Sequence, residues 1–179
     1  MPLIAVTAVG QDRPGIVAEF SGALFRLGCN LEETTMTRLR DQFAMLLLVR
    51  LPDAASPEEL DRALQAAGSR LGLSVGIRPL PGSPAGDAPE ASGYILRLYG
   101  ADRPGIVHAA TALLAERGFN ITDLNTRVIP GAGGPVYVML LEVDAPSAEA
   151  AEALRPELER LRRELGVDLS FSALEQEAL

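Results

Sequence analysis

The 179-residue chain contains no lysine and no tryptophan, one cysteine and one histidine, and only 4% aromatic residues. Each scarcity removes a class of chemistry. Without lysine there is no Schiff-base nucleophile and no phosphate-loop ammonium; all 16 basic residues are arginine. A lone cysteine excludes an intrachain disulfide and a thiolate metal cluster, and a lone histidine excludes a histidine-built metal site and most catalytic triads. No metal or cofactor is therefore expected. No run reaches the roughly 18 apolar residues that mark a bilayer-crossing helix. The start, "MPLIAVTAV", lacks the basic region of a secretory leader. A reducing, cytoplasmic setting without membrane attachment is expected. A net charge of −8 and a pI near 4.7 argue against nucleic acid as a direct partner, because phosphate binding needs a clustered basic face. What is present is an ordinary globular composition, 47% apolar and 22% charged, whose core must be aliphatic.

The organising feature is a repeat. "GQDRPGIV" begins at Gly10 and "GADRPGIV" at Gly100, ninety positions later. The same shift lays "LFRLGCNL" (Leu24 to Leu31) on "LAERGFNI" (Leu114 to Ile121) without a gap. Agreement over about twenty residues points to a duplicated domain rather than a chance octapeptide. Between the copies, "PLPGSPAGDAPEAS" (Pro79 to Ser92) is too rich in proline, glycine and alanine for a helix or strand. The expected division is a first domain at 1–80, a linker at 81–92 and a second domain at 93–179.

Each copy carries the same order of signals. "LIAVTAV" is a β-branched apolar run and predicts a strand. Ile16, Val17, Phe20, Ala23, Leu24 and Leu27 then mark one face of a helix, with Pro14 placed in its first turn and Gly28 ending it. Asn30 to Leu39 and Phe43 to Leu51 predict two strands around a turn at Arg40 and Asp41. Ser56 and Glu59 form a capping box for a helix with Pro57 at its first position, and "LSVGIRPL" gives the last strand. The second copy predicts strand Tyr94 to Tyr99, helix Pro104 to Arg117, strands Phe119 to Ile129 and Val136 to Val143, helix Ala148 to Leu165 and strand Val167 to Phe171. The order β-α-β-β-α-β, twice, is α+β. Each unit is expected to be an antiparallel four-stranded sheet with two helices on one face, the ferredoxin-like arrangement. "FAMLLLVRL" and "VYVMLL" are apolar on both sides, so both bare sheet faces are expected to be covered by another sheet or subunit.

The repeated Asp-Arg-Pro-Gly lies between a strand end and a helix N-terminus, where free N–H groups and the helix dipole favour an anion. Gly15 and Gly105 are expected to allow close backbone approach. Asp12 and Asp102 suit either a helix cap or the ammonium of an α-amino acid. On spacing alone two readings stand: a purely structural corner, or an amino-acid site. Cys29 reads as a packing residue, because Phe119 takes its place in the other copy. His108 is matched by Ala18 and reads as a surface residue. "PGAGGP" (Pro130 to Pro135) lacks a phosphate-loop lysine and reads as a hairpin.

The β-α-β-β-α-β unit with "DRPGIV" after its first strand and Gly-x-Asn-Leu/Ile at the helix end resembles the ACT domain, a small amino-acid-sensing module. The tandem arrangement is similar to the glycine cleavage system transcriptional repressor family. The resemblance implies side-by-side or back-to-back pairing, hence a homodimer. It places an amino-acid ligand between the loop of one unit and the second-strand start of its neighbour. By position the loop residues are Asp12, Arg13, Pro14 and Gly15, and again Asp102, Arg103, Pro104 and Gly105; the strand residues are Asn30 and Asn120. In serine-sensing ACT domains the positions of Asp12 and Asp102 are often Asn, and those of Gly10 and Gly100 often His.

No third domain and no Asp-x-Asp phosphatase motif are seen, so a regulator rather than an enzyme is expected. Its ligand would be glycine or serine, and its signal would pass through a protein such as a transcriptional activator. The alternative is an assembly module that binds no ligand. An RNA-recognition domain shares the topology but needs stacking aromatics and basic charge.

Overall fold

The computed structural model describes residues 1–81, 92–131 and 134–174. The chain divides into two compact units, Met1–Gly86 and Asp87–Leu179. Residues 82–91 of the expected linker lie outside the described residues.

The first unit runs β1 (Leu3–Gln11), α1 (Ile16–Arg26), β2 (Asn30–Leu39), β3 (Gln42–Arg50), α2 (Pro57–Leu71) and β4 (Leu73–Pro79). The second runs β5 (Ser92–Ala101), α3 (Ile106–Glu116), β6 (Asn120–Ile129), β7 (Val136–Ala145), α4 (Ala148–Leu165) and β8 (Asp168–Ala173). The sheets have strand orders β2-β3-β1-β4 and β6-β7-β5-β8, and every pairing is antiparallel. This is the ferredoxin-like topology in each unit.

Alternation decides which side chains form the core. On β1, Ile4, Val6 and Ala8 are fully buried, and on β3, Phe43, Met45, Leu47 and Val49 join them beneath the helices. Helix α2 contributes Leu60, Leu64 and Ala67 to this layer. The second unit repeats the scheme with Leu96 and Leu98, Met139, Leu141 and Val143, and Leu154 and Leu158 of α4. Tyr94 stacks on Phe171 at 4.9 Å between ring centroids.

Both first helices end alike. Gly28 (φ 66°) donates its N–H to Phe25 O, while Cys29 donates to Leu24 O at 3.0 Å. Gly118 (φ 76°) and Phe119 repeat this with Ala115 O and Leu114 O. This paired arrangement satisfies the last helical carbonyls and requires a residue that tolerates positive φ. Helix α2 has the expected capping box: Glu59 N–H donates to Ser56 Oγ at 3.2 Å, and Ser56 N–H donates to Glu59 Oε2 at 2.9 Å.

Two expectations change. Helices α1 and α3 begin two residues later than the sequence suggested, so Pro14 and Pro104 stand in the preceding turn. Gly15 and Gly105 are the N-cap residues, at φ 95° and 92°. A left-handed residue cannot belong to a right-handed helix, so the helix starts after it. The bare sheet faces also differ between the units. In the first, Ala5, Thr7 and Val9 of β1 pair with Leu48, Leu46 and Ala44 of β3. In the second, Ile95, Arg97 and Tyr99 of β5 pair with Glu142, Leu140 and Val138 of β7. The two central strands are uncharged at these positions in the first unit, whereas Arg97 and Glu142 stand among them in the second.

Candidate functional site

The corner Asp12-Arg13-Pro14-Gly15 joins the end of β1 to α1, and Asp102-Arg103-Pro104-Gly105 joins β5 to α3. Its glycines serve separate purposes. A Cβ built on Gly15 or Gly105 meets nothing within 4 Å, so these positions need glycine for backbone conformation and not for room. Gly10 is the reverse case: a Cβ there lies 2.7 Å from Leu73 Cδ2 and 2.9 Å from the Gly72 carbonyl oxygen. At Gly100 it lies 2.6 Å from Val167 Cγ1. The strand packs against the end of the second helix through these bare positions, which leaves no space for the histidine found there in serine-sensing ACT domains.

The arginines turn toward the fold. Arg103 donates from Nη2 to the Leu165 carbonyl at the C-terminus of α4. Arg13 Nη2 lies 3.9 Å from the Cβ position of Gly72, the left-handed cap of α2. A guanidinium beside a helix C-terminus meets the carbonyl end of its dipole. Arg103 thus braces its corner against the second helix, whereas Arg13 lies near the cap of α2 without a hydrogen bond to it.

The aspartates do not cap. Neither α1 nor α3 has a side-chain cap, whereas α2 is capped by Ser56 and α4 by Ser147, whose Oγ accepts from Ala150 N–H at 3.1 Å. Of the two roles that Asp12 and Asp102 suit by sequence, helix cap or ammonium partner, the cap is not made. Asp12 instead accepts from Arg38 Nη1 at 3.3 Å, and its own N–H donates to Asp41 O at 2.7 Å. Asp102 makes no ion pair among the described residues, and Val128 stands where the first copy has Arg38. The two corners therefore share geometry but not charge. Arg38 is the residue that sequence reading missed. It lies 26 positions from Asp12 and has no match in the second copy. Only the register, which sets Arg38 against Phe43 and Gly10 against Phe43, brings it to the corner.

Asn30 and Asn120 are exposed at the opposite ends of their sheets. Asn30 pairs with Arg50, which pairs with Leu3, so it stands at the far end of β1 from the corner. Leu3 and Gln11 are the two ends of a nine-residue strand, eight residue steps apart. At roughly 3.3 Å per residue, that is about 26 Å. No single unit brings its own loop and asparagine together. A bulge follows each asparagine, between Leu31 and Glu33 and between Ile121 and Asp123. In the first unit the extra residue, Glu32, forms a two-pronged pair with Arg50, with Nη2 to Oε2 at 3.0 Å. Hydrogen bonding to Arg50 holds the Glu32 carboxyl below its usual range. Strands β2 and β6 are sheet edges; all ten residues of β2 are exposed, as are nine of ten in β6. A long open edge offers unpaired backbone groups to another strand.

Of the remaining candidates, Cys29 lies beyond the far end of α1 from its corner, and His108 lies in the first turn of α3, just behind the second corner. Burial pushes the Cys29 thiol upward, away from the reactive thiolate. His108 is exposed on α3. No group of three metal-ligating side chains forms among the described residues, and no helix there is long and apolar enough to cross a membrane.

Two four-stranded antiparallel sheets, each with a glycine-capped first helix behind the same corner, define a tandem ferredoxin-like protein. The ACT domain family matches residues 3–78 and again 94–159, and the chain belongs to that family, with two ACT domains in tandem. It is 46% identical over 76 residues to a UPF0237 protein of Methanopyrus kandleri, covering 42% of this chain and 84% of the relative. The glycine cleavage system transcriptional repressor of Escherichia coli is 27% identical over 150 residues, covering 84% of this chain and 77% of that protein. A crystal structure of an unknown protein from Galdieria sulphuraria matches with a TM-score of 0.82 and 32% identity, over 97% of this chain and 98% of that one.

Proposed function

We propose that the chain is a non-catalytic cytoplasmic regulator that binds a small amino acid, glycine or serine, at its repeated corners. The observation that carries this reading is the contrast between helices: α2 and α4 have side-chain caps, while α1 and α3, behind the Asp-Arg-Pro-Gly corners, have none. Their first-turn N–H groups suit a ligand carboxylate. In the first unit Arg38 offsets the charge of Asp12, which lowers the repulsion between that aspartate and the carboxylate. The Asp12 oxygens in turn suit the ligand ammonium. The first corner is therefore the tighter site. Because one unit holds its loop and its asparagine about 26 Å apart at strand geometry, Asn30 or Asn120 would come from a neighbouring ACT unit.

The Escherichia coli relative is a repressor of glycine cleavage genes by name. That supports glycine as the leading ligand and a role in transcriptional control of amino-acid metabolism, exerted through a protein partner and not by direct DNA contact. The net charge of −8 agrees with an indirect route. A second reading, an assembly module without ligand, is favoured by the apolar face of the first sheet.

Titration calorimetry of the full chain against each of the twenty amino acids separates the two. Binding of glycine or serine below millimolar concentration is expected. Asp12→Ala and Arg38→Ala are expected to weaken the tighter site at least tenfold, and Asn30→Ala to weaken binding as well. Silence from all twenty amino acids up to millimolar concentration favours the module.

A further inference from the structure

We infer that the cleft between α3 and α4 of the second unit is a docking groove for an amphipathic helix of another protein, which places an arginine over Glu164. The inference rests on the proposed function only in that a protein partner exists; it does not depend on amino-acid binding.

The first unit shows how such a groove is closed. Gly15 and Gly105 precede the first helices, and Gly72 and Gly166 end the second ones. Counted from these caps, Glu19 and Ala23 match Ala109 and Leu113, while Ala67 and Arg70 match Leu161 and Glu164. Ala23 and Ala67 are buried, and α1 and α2 pack closely. Arg70 on α2 then spans the groove to Glu19 on α1. In the second unit leucine replaces both alanines. The side chains at a contact set how near two helices come, and α3 and α4 approach each other less closely. The ion pair across the groove is gone as well: Ala109 carries no charge, and Glu164 stands where the arginine was. A cleft of about 220 Å³ is left, lined by Leu113, Leu161, Glu157, Arg160 and Glu164.

Three features select the occupant. The first is size. Small-molecule sites measure roughly 300–1,000 Å³, and this cleft is smaller, which suits one or two side chains of a protein.

The second is charge. Glu157 is held by Arg117 in a two-pronged pair, at 2.7 and 2.6 Å. The other ion pairs of α4 use Glu152, Arg155, Glu159 and Arg162. Arg160 and Glu164 make none among the described residues. They lie one turn apart with the arginine first, the order that pairs less well within a helix. A partner helix with an arginine over Glu164 and a carboxylate one turn away over Arg160 satisfies both.

The third is form. A groove between two helices accepts the apolar face of a third. An apolar residue beside those two charges meets Leu113 and Leu161. Arginine is a frequent pocket anchor in interfaces, and its stem covers apolar surface while its head pairs. The first unit offers no such groove, because Arg70 already fills it.

The test is fluorescence anisotropy of a labelled, alanine-based helical peptide titrated with the full chain. The peptide carries leucine, glutamate and arginine on one face, the two charges one turn apart. Saturable binding below millimolar concentration is expected. Glu164→Arg is expected to weaken it about tenfold or more. Ala109→Glu combined with Glu164→Arg rebuilds the ion pair of the first unit. It is expected to abolish binding while Tm stays at or above the wild-type value, which separates a closed groove from a folding defect. Absence of binding at millimolar concentration overturns the inference. So does binding that survives the double variant, or free arginine that binds as tightly as the peptide and makes the cleft a small-molecule site. Self-association of the wild type that excludes the peptide and is lost in the double variant overturns it too. Glycine titrated into the same variants is expected to behave as with the wild type; a wild type that ignores glycine counts against the corners and not against the groove.

Discussion

On the first sheet, Thr7, Val9 and Leu46 stand on the face away from the helices; on the second, the matching positions hold Arg97, Tyr99 and Leu140. At the corners the comparison runs the other way. Gly15 and Gly105 have φ within a few degrees of each other, and Gly10 and Gly100 both press on the end of a second helix. The duplicated units thus share the strand-to-helix corner and differ on the sheet face and in the charge around Asp12 and Asp102. The corner serves the fold in both through the close-packed glycine, and in the second unit through the Arg103 bond to α4 as well. The face and Arg38 give the first unit surfaces that the second lacks.

The largest effect that probes this contrast lies at the close-packed glycines. A methyl at Gly10 meets the backbone oxygen of Gly72, whereas at Gly100 it meets chiefly the side chain of Val167. Backbone yields less than side chain. Gly10→Ala is expected to cost about 3 kcal/mol and Gly100→Ala about 1–2 kcal/mol, within the range for overpacking. Urea unfolding followed by circular dichroism measures both. All three tyrosines, Tyr94, Tyr99 and Tyr137, belong to the second unit, so tyrosine fluorescence should register Gly100→Ala and hardly respond to Gly10→Ala. Equal costs would break the distinction.

A smaller and symmetric effect belongs to the cap glycines. With nothing near their Cβ positions, Gly15→Ala and Gly105→Ala carry only the left-handed backbone penalty, about 1–2 kcal/mol each. Matching losses in the same experiment would confirm that the corners are equivalent as fold elements. The smallest effect concerns acid. Bonding to the Ser56 N–H holds the Glu59 carboxyl below its ordinary value. A depressed carboxylate adds stability above its unfolded pKa of about 4.3, and that stability is lost as pH falls through the lower folded value. Glu59→Gln should therefore lower Tm slightly at pH 6, and the difference from wild type should vanish toward pH 3. Helix α4, with Ala150 in the place of Glu59, has no such box to lose.

Much of this was legible in the sequence because the signals are local. The capping box of Ser56 and Glu59, the helix-ending Gly28 and Gly118 and the succession of strands and helices all rest on residues a few positions apart. What escaped reading depends on partners distant in sequence. Helices α1 and α3 start late because Gly15 and Gly105 adopt positive φ, which the letter glycine allows but does not announce. Arg38 reaches Asp12 only through the register of β2 on β3. The second bare face looked apolar from "VYVMLL" alone, since Arg97 on the neighbouring strand enters the same face only after pairing.

The central claim is that the uncapped first turns of α1 and α3 receive a ligand carboxylate. Backbone amide NMR of the chain titrated with glycine, and separately with serine, tests it most directly. The account predicts saturable shifts at the N–H groups of Ile16, Val17 and Ala18, at lower ligand concentration than those of Ile106, Val107 and His108. It also predicts that Arg38→Ala removes the advantage of the first set. Amides at both helix starts that stay unmoved at millimolar glycine and serine would contradict it.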